Sequence, residues 1–214
     1  MNAVIIYESL TGNTKAAAYY MADELQSRGI AATVCSVLDV DLAALSAAEL
    51  VIIGSWTDGL FVAGQKPGRS GRLRVLPTVA GKRCFVYCTF ALNPGRVLEK
   101  MTSILESRGA TVLGGRAIRR NRLQAGSKDF IDAVLAVPVT AIVQSPEGPY
   151  VLAGDAYRFE KRPIEIGETF LKQGFAVVLS GLRVNERVVS RATFFLDADR
   201  RLGMKTGEEE RVAP

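Results

Sequence analysis

The chain has 214 residues, 48% of them hydrophobic and 23% charged, which is enough apolar material for one large domain or two modest ones. It contains no histidine, which excludes Ser-His-Asp catalysis, histidine–zinc sites and the usual general base near neutral pH. The net charge of +5 lies wholly in residues 1–136, with sixteen Lys or Arg against eleven Asp or Glu, and is too small for nucleic-acid binding without an aromatic-basic platform.

The apolar run Val4–Tyr7 reads as a buried parallel strand. It breaks into Glu8-Ser9-Leu10-Thr11-Gly12-Asn13-Thr14-Lys15 and then into Ala16-Ala17-Ala18, a strong helix former. A strand, a short hydroxyl-rich turn and a helix start form an anion site, because the first helical N–H groups lack internal partners and the helix dipole adds positive charge. Ser9, Thr11, Asn13 and Thr14 supply side-chain donors, and Gly12 permits positive φ or close backbone approach. The plainer alternative is a capped helix with Thr11 or Asn13 as its N-cap.

Downstream, helical spacing covers Thr14 to Arg28 and ends at Gly29. Ala31–Ser36 is a second strand, Asp39–Ala48 a short helical piece, and Leu50–Gly54 a central strand. Lys82–Phe90 is the fourth strand, Pro94–Arg108 a helix, Ala110–Leu113 the fifth strand and Ser127–Ala136 the last helix. Alternating strands and helices predict an α/β fold with a parallel doubly wound sheet, in the five-strand order 2-1-3-4-5. A ligand of that fold binds beyond the carboxyl ends of the strands, at the switch point between the first and third. The loop Ser55-Trp56-Thr57-Asp58-Gly59-Leu60-Phe61 and the segment Thr89-Phe90-Ala91-Leu92-Asn93-Pro94-Gly95 fall there. Their aromatics would grip a planar ring, or else merely cover the sheet end. The basic stretch Gln65–Arg74 reads as a solvated loop, with a flexible partner-contacting loop as the alternative, and Arg116, Arg119, Arg120 and Arg122 read first as a plain solvated face, with attraction of an acidic partner or a nucleotide phosphate as the alternative.

On these motifs, residues 1–136 resemble the flavodoxin family. The resemblance implies noncovalent FMN, with Ser9, Leu10, Thr11, Gly12, Asn13 and Thr14 at the phosphate and Ser55, Trp56, Thr57, Thr89, Phe90, Asn93 and Gly95 at the ring. The flavin would carry the chemistry, leaving no catalytic side chain. Family members pass electrons between a reductase and an acceptor protein, or reduce quinones and other small molecules with NAD(P)H. Carrier flavodoxins are usually acidic, whereas this segment is basic. A positive surround stabilises an anionic reduced flavin and argues against a low-potential carrier.

After Val137-Pro138 the rhythm changes to short strands about ten residues apart, which predicts a small antiparallel β-module over 137–205 and a flexible tail over 206–214. Val137–Val143, Tyr150–Ala153, Arg158–Ile166, Phe175–Leu179 and Arg187–Val189 are its strands, and Thr193–Arg201 a short terminal element. Segments such as Arg162-Pro163-Ile164-Glu165-Ile166-Gly167 and Asn185-Glu186-Arg187-Val188-Val189 resemble the C-terminal part of periplasmic adaptor (membrane fusion) subunits of RND-type heavy-metal efflux systems. That resemblance implies an association module, and an exposed edge strand would let it pair as a homodimer.

The strand pattern begins without a signal-like n-region or h-region, and no apolar run reaches membrane-spanning length, so the expected location is cytoplasmic. Cys35, Cys84 and Cys88 lie in apolar strands without C-x-x-C spacing and are expected to be reduced. The leading expectation is an FMN-binding redox protein serving an unidentified partner. An FMN-dependent reductase and a non-enzymatic efflux-associated assembly protein are the alternatives.

Overall fold

The computed structural model describes residues 2–59, 64–155, 158–170, 174–182 and 186–190. The chain divides into two compact units, Met1–Val134 and Leu135–Pro214.

In the first unit, β1 (Asn2–Tyr7), β2 (Ala31–Ser36), β3 (Leu50–Asp58), β5 (Arg83–Phe90) and β6 (Thr111–Arg119) form a parallel sheet in the order β2-β1-β3-β5-β6. The two-residue β4 (Lys66–Pro67) adds an antiparallel hairpin onto the end of β3. Leaving that hairpin strand aside, the order is the doubly wound one expected from the sequence. The helices are α1 (Asn13–Gln26), α2 (Leu42–Ala47), α3 (Ser70–Arg74), α4 (Val97–Glu106) and α5 (Leu123–Val134).

Both faces of the sheet are covered, which explains the unbroken apolar runs of its central strands. Val4, Ile6, Val51, Ile53, Cys84, Val86 and Cys88 join Leu73 of α3 and Val97, Met101 and Leu105 of α4 in one buried cluster. On the other face lie Ile5, Ile52 and Tyr87, all fully buried. There α1 packs on α5, and the Ser127 hydroxyl donates to the Ala17 carbonyl at 3.2 Å. Phe130 of α5 meets Phe85 edge-on, with ring centroids 6.4 Å apart.

Several elements differ in extent from the sequence reading. Strand β3 runs on through Ser55, Trp56 and Thr57 to Asp58, because the hairpin with β4 continues its hydrogen bonding. Strand β6 continues to Arg119 past a register shift opposite Cys84 and Phe85. The solvated loop expected over Gln65–Arg74 is instead β4 followed by α3, with Leu73 buried.

The second unit holds two three-stranded antiparallel sheets. One has the order β10-β9-β8, from Arg158–Pro163, Tyr150–Asp155 and Ile142–Val143; the other has β11-β12-β7, from Glu165–Phe170, Phe175–Ser180 and Ala136–Pro138. The expected strand Val137–Val143 is thus split by a 3-10 turn at Val139–Ala141, which sends its halves into different sheets. The expected strand Arg158–Ile166 is likewise divided, at Ile164. Around Arg187–Val189 the structure has a single bridge, Ala153 to Val188, in place of a strand. The terminal element over Thr193–Arg201 and the tail over 206–214 lie outside the described residues.

Candidate functional site

The loop Glu8–Gly12 joins β1 to α1 at the carboxyl edge of the sheet. Gly12 is the N-cap of α1 in the left-handed region, at φ 88°. No side chain caps this helix, so neither Thr11 nor Asn13 takes that role. The first helical bond runs from the Ala16 N–H to the Gly12 carbonyl at 2.8 Å. The N–H groups of Asn13, Thr14 and Lys15 therefore precede the helix's own bonding. Ser9 Oγ accepts from the Gly12 N–H at 3.1 Å, and Asn13 Nδ2 donates to Thr11 Oγ1 at 3.1 Å. These bonds fix the loop from within. A Cβ on Gly12 would meet no atom within 4 Å, and Leu10 is 60% exposed, so the loop faces open space.

Thr14 belongs to the interior. Its hydroxyl shares a buried 2.8 Å hydrogen bond with Thr89 of β5, and its carbonyl accepts from Tyr87 Oη at 2.9 Å. Two bonds from one strand thus hold the first turn of α1. Gly54 belongs to the same arrangement, since a Cβ there would lie 2.0 Å from the Tyr87 ring. Burial raises the Tyr87 pKa well above its ordinary value, so the phenol remains a donor at neutral pH.

Glu8, which the sequence reading left without a role, is 2% exposed. Arg72 Nη1 donates to both of its carboxylate oxygens, at 3.2 and 3.0 Å, and Arg69 Nη1 to one of them at 3.3 Å. Arg69 carries a positive φ of 47°, which is strained for a residue with a side chain. Its guanidinium also lies over the Trp56 ring, 5.7 Å from the centroid. A signal was available in the sequence: strand alternation aligns Glu8 with buried Val4 and Ile6. A carboxylate on that face needs a cationic partner.

Ser55, Trp56 and Thr57 sit at the end of β3 rather than in a loop, Thr89 and Phe90 at the end of β5, and Asn93 and Gly95 in the turn after it. Trp56 stands in register with Thr89 on the neighbouring strand. Its ring packs over its cross-hairpin neighbour Gly68, where a Cβ would come within 2.0 Å of it. Ser55 Oγ is buried and donates to the Gly68 carbonyl at 3.0 Å. Pleat alternation places Phe90 on the face of Cys84 and Cys88, and Trp56 on the face of Thr89. The two aromatics are therefore on adjacent strands but opposite faces, and do not form a clamp on one side of the sheet. Thr57 Oγ1 is buried. Burial pushes the Cys88 thiol up to about 12, the larger effect, and hydrogen bonding with the Thr57 hydroxyl draws it down. Asn93 Oδ1 accepts from the Gly95 N–H at 2.8 Å and shapes the turn after β5. Gly95 adjoins the Gln65 side chain, and Lys100 Nζ donates to the Gln65 carbonyl, so this turn and the β3–β4 hairpin are held together.

The structure thus brings Ser9–Thr14, Ser55–Thr57 and Thr89–Gly95 to one edge of the sheet, along β1, β3 and β5. It offers free helix N–H groups beside hydroxyl side chains and an arginine-neutralised carboxylate. Among the described residues no cluster of metal-ligating side chains occurs, and no helix is long and apolar enough to cross a membrane.

A profile of the flavodoxin domain matches residues 4–119. Among solved structures, a flavodoxin from the domain Archaea is 21% identical, with a TM-score of 0.45 over 62% of this chain and 98% of its own. Oxidised flavodoxin 2 from Bacillus cereus is 18% identical, with a TM-score of 0.49 over 61% of this chain and 95% of its own. Two-electron reduced flavodoxin from Megasphaera elsdenii is 18% identical, with a TM-score of 0.47 over 59% of this chain and 98% of its own. No curated protein sequence matches the chain.

Proposed function

The chain belongs to the flavodoxin family, with FMN as the family's cofactor, and from this premise we propose an electron-transfer protein whose second unit is an association module. The observation that carries the reading is the uncapped α1 N-terminus behind Gly12, open to space beside the switch point between β1 and β3. A flavin phosphate fits it. The free N–H groups of the first turn and the hydroxyls of Ser9 and Thr11 are the donors a phosphate takes, and α1 has no acidic residue in its first turn to repel it.

The bound flavin supplies the redox chemistry. The chain's own residues hold and surround it. Ser9, Thr11, Gly12 and Asn13 present donors to the phosphate; Thr14 fixes the helix that carries them. Trp56, Thr57, Phe90 and Asn93 border the ring. Arg69 and Arg72 cancel the Glu8 carboxylate, which would otherwise repel an anion arriving at the adjacent loop.

The order of adaptor-like segments supports an association role for the second unit. The edge strand β10 carries Arg158, Glu160, Lys161 and Arg162, and charges of this kind discourage edge pairing. A dimer through β10 is therefore not part of the proposal.

The test is the absorption spectrum of the purified chain after incubation with FMN and gel filtration. Flavin bands that stay with the protein and bleach reversibly on photoreduction are the expected result. A colourless protein would sink the reading.

A further inference from the structure

Arg119, Arg120 and Arg122 fall within four residues at the end of β6 and the turn into α5, and all three are exposed. The turn is fixed against the ring-site segment: the Arg120 N–H donates to the Phe90 carbonyl at 2.8 Å, and Arg119 Nε to the Ala91 carbonyl at 3.4 Å. In that segment Leu92 is 62% exposed. Arg116 is paired with Asp129 at 2.9 Å. Among the described residues no carboxylate pairs with Arg119, Arg120 or Arg122.

Stability does not explain this arrangement. Cations just before α5 oppose its dipole, and no acidic residue in its first turn offsets them. Arg96 is the N-cap of α4, and the helices of a parallel α/β unit all begin at the carboxyl edge. Helix dipoles and the three arginines therefore give the β6 end of that edge a positive field beside an exposed leucine, whereas Arg96 is offset by Glu99. Charged groups of one sign on an interface set the charge of its partner and speed the encounter.

We propose that Arg119, Arg120, Arg122 and Leu92 form the docking surface for an acidic protein carrying its own redox centre. The inference rests on the proposed function and names the charge of the partner. The bound cofactor would supply the electrons, which that redox centre would accept, with the accompanying protons released to water. Nucleic acid is the poorer fit, because three arginines without a stacking aromatic fall short of the many phosphate contacts such binding uses.

The test uses the full chain with FMN and a fluorescein-labelled polyglutamate peptide, read by anisotropy. Binding should weaken with salt and fall by roughly tenfold in R119Q/R120Q/R122Q, as three partly screened charge contacts imply. R74Q, removing an exposed arginine from α3, should leave binding unchanged. The triple variant should keep the parent's melting temperature, since removing cations from a helix start offsets the loss of the long Arg119 bond to Ala91. In stopped flow, the photoreduced triple variant should pass electrons more slowly than the parent to ferricyanide and faster to hexaamminecobalt(III). Peptide binding unaffected by the triple change, an equal loss in R74Q, or tighter binding of a single-stranded oligonucleotide of matched charge would each overturn the proposal. A chain that binds the peptide through these arginines yet takes up no FMN would defeat the proposed function and leave the surface standing.

Discussion

Arg72 Nη1 and the Glu8 carboxylate meet at 3.0 and 3.2 Å across 64 residues of sequence. The contact ties α3 to the residue before the Ser9–Thr14 loop and neutralises a buried charge beside the proposed phosphate site. Arg72→Ala should destabilise the fold by about 1–3 kcal/mol, less than a fully buried pair because Arg69 remains and Arg72 is partly exposed. FMN affinity should fall while riboflavin affinity holds, since only the phosphate meets the uncompensated carboxylate. Urea unfolding with paired ligand titrations checks both. An unchanged FMN affinity would remove Arg72 from the account.

Thr14 and Thr89 form a second long-range tie, through their hydroxyls. Thr14→Val and Thr89→Val should each cost about 1 kcal/mol, because each leaves the other hydroxyl buried and unpaired. The double variant should cost less than the sum of the singles. Additive losses in a double-mutant cycle would show that the two hydroxyls do not interact.

Two glycines should fail for different reasons. Gly12→Ala places a side chain at φ 88° in open space, so it should cost about 1 kcal/mol in backbone strain and weaken FMN binding. Gly54→Ala drives a Cβ into the Tyr87 ring and should cost about 1–3 kcal/mol, with the loss appearing in stability even without flavin. Thermal melts of both variants with and without FMN separate the two effects.

Thiol behaviour follows from burial. The Cys84 thiol is pushed up to about 11 and Cys88 to about 12, both chiefly by desolvation, while Cys35 is raised but only half-buried. A thiol reagent at pH 8 should label Cys35 first, and Cys84 and Cys88 only on unfolding. These raised values also set a pH dependence. The unfolded chain loses these thiol protons at lower pH than the folded one, so stability is fully present below about pH 8.5 and declines as pH rises toward the folded values. Urea midpoints between pH 7 and 10.5 should show the decline, and C84S/C88S should flatten it. A midpoint that rises across this range would contradict the burial.

Much of the first unit was legible because its signals are local. The apolar run Val4–Tyr7, the turn to Gly12 and the alanines of α1 state strand, loop and helix within eighteen residues, and Ala31–Ser36 matches β2 to the residue. The longer-range features were not legible. Arg69 and Arg72 looked solvated because their partner, Glu8, lies some sixty residues away, and burial of a pair is a tertiary fact. The late start assigned to the last helix reflects Gly126, which discourages a helix by propensity. In the fold it lets α5 approach β6, where a Cβ would come 2.7 Å from Ile118. Trp56 was read as a loop residue because Gly54 resembles a strand stop. The hairpin with β4 carries β3 past that point, and the pleat then divides the aromatics between two faces.

The central claim is that the loop Ser9–Thr14 holds the phosphate of FMN. Flavin fluorescence on titration of the apoprotein, run in parallel with FMN and riboflavin, tests it most directly. Several charge-assisted hydrogen bonds imply that FMN binds at least about 100-fold more tightly than riboflavin, and that Gly12→Ala narrows the gap. Equal affinities for FMN and riboflavin would contradict the account.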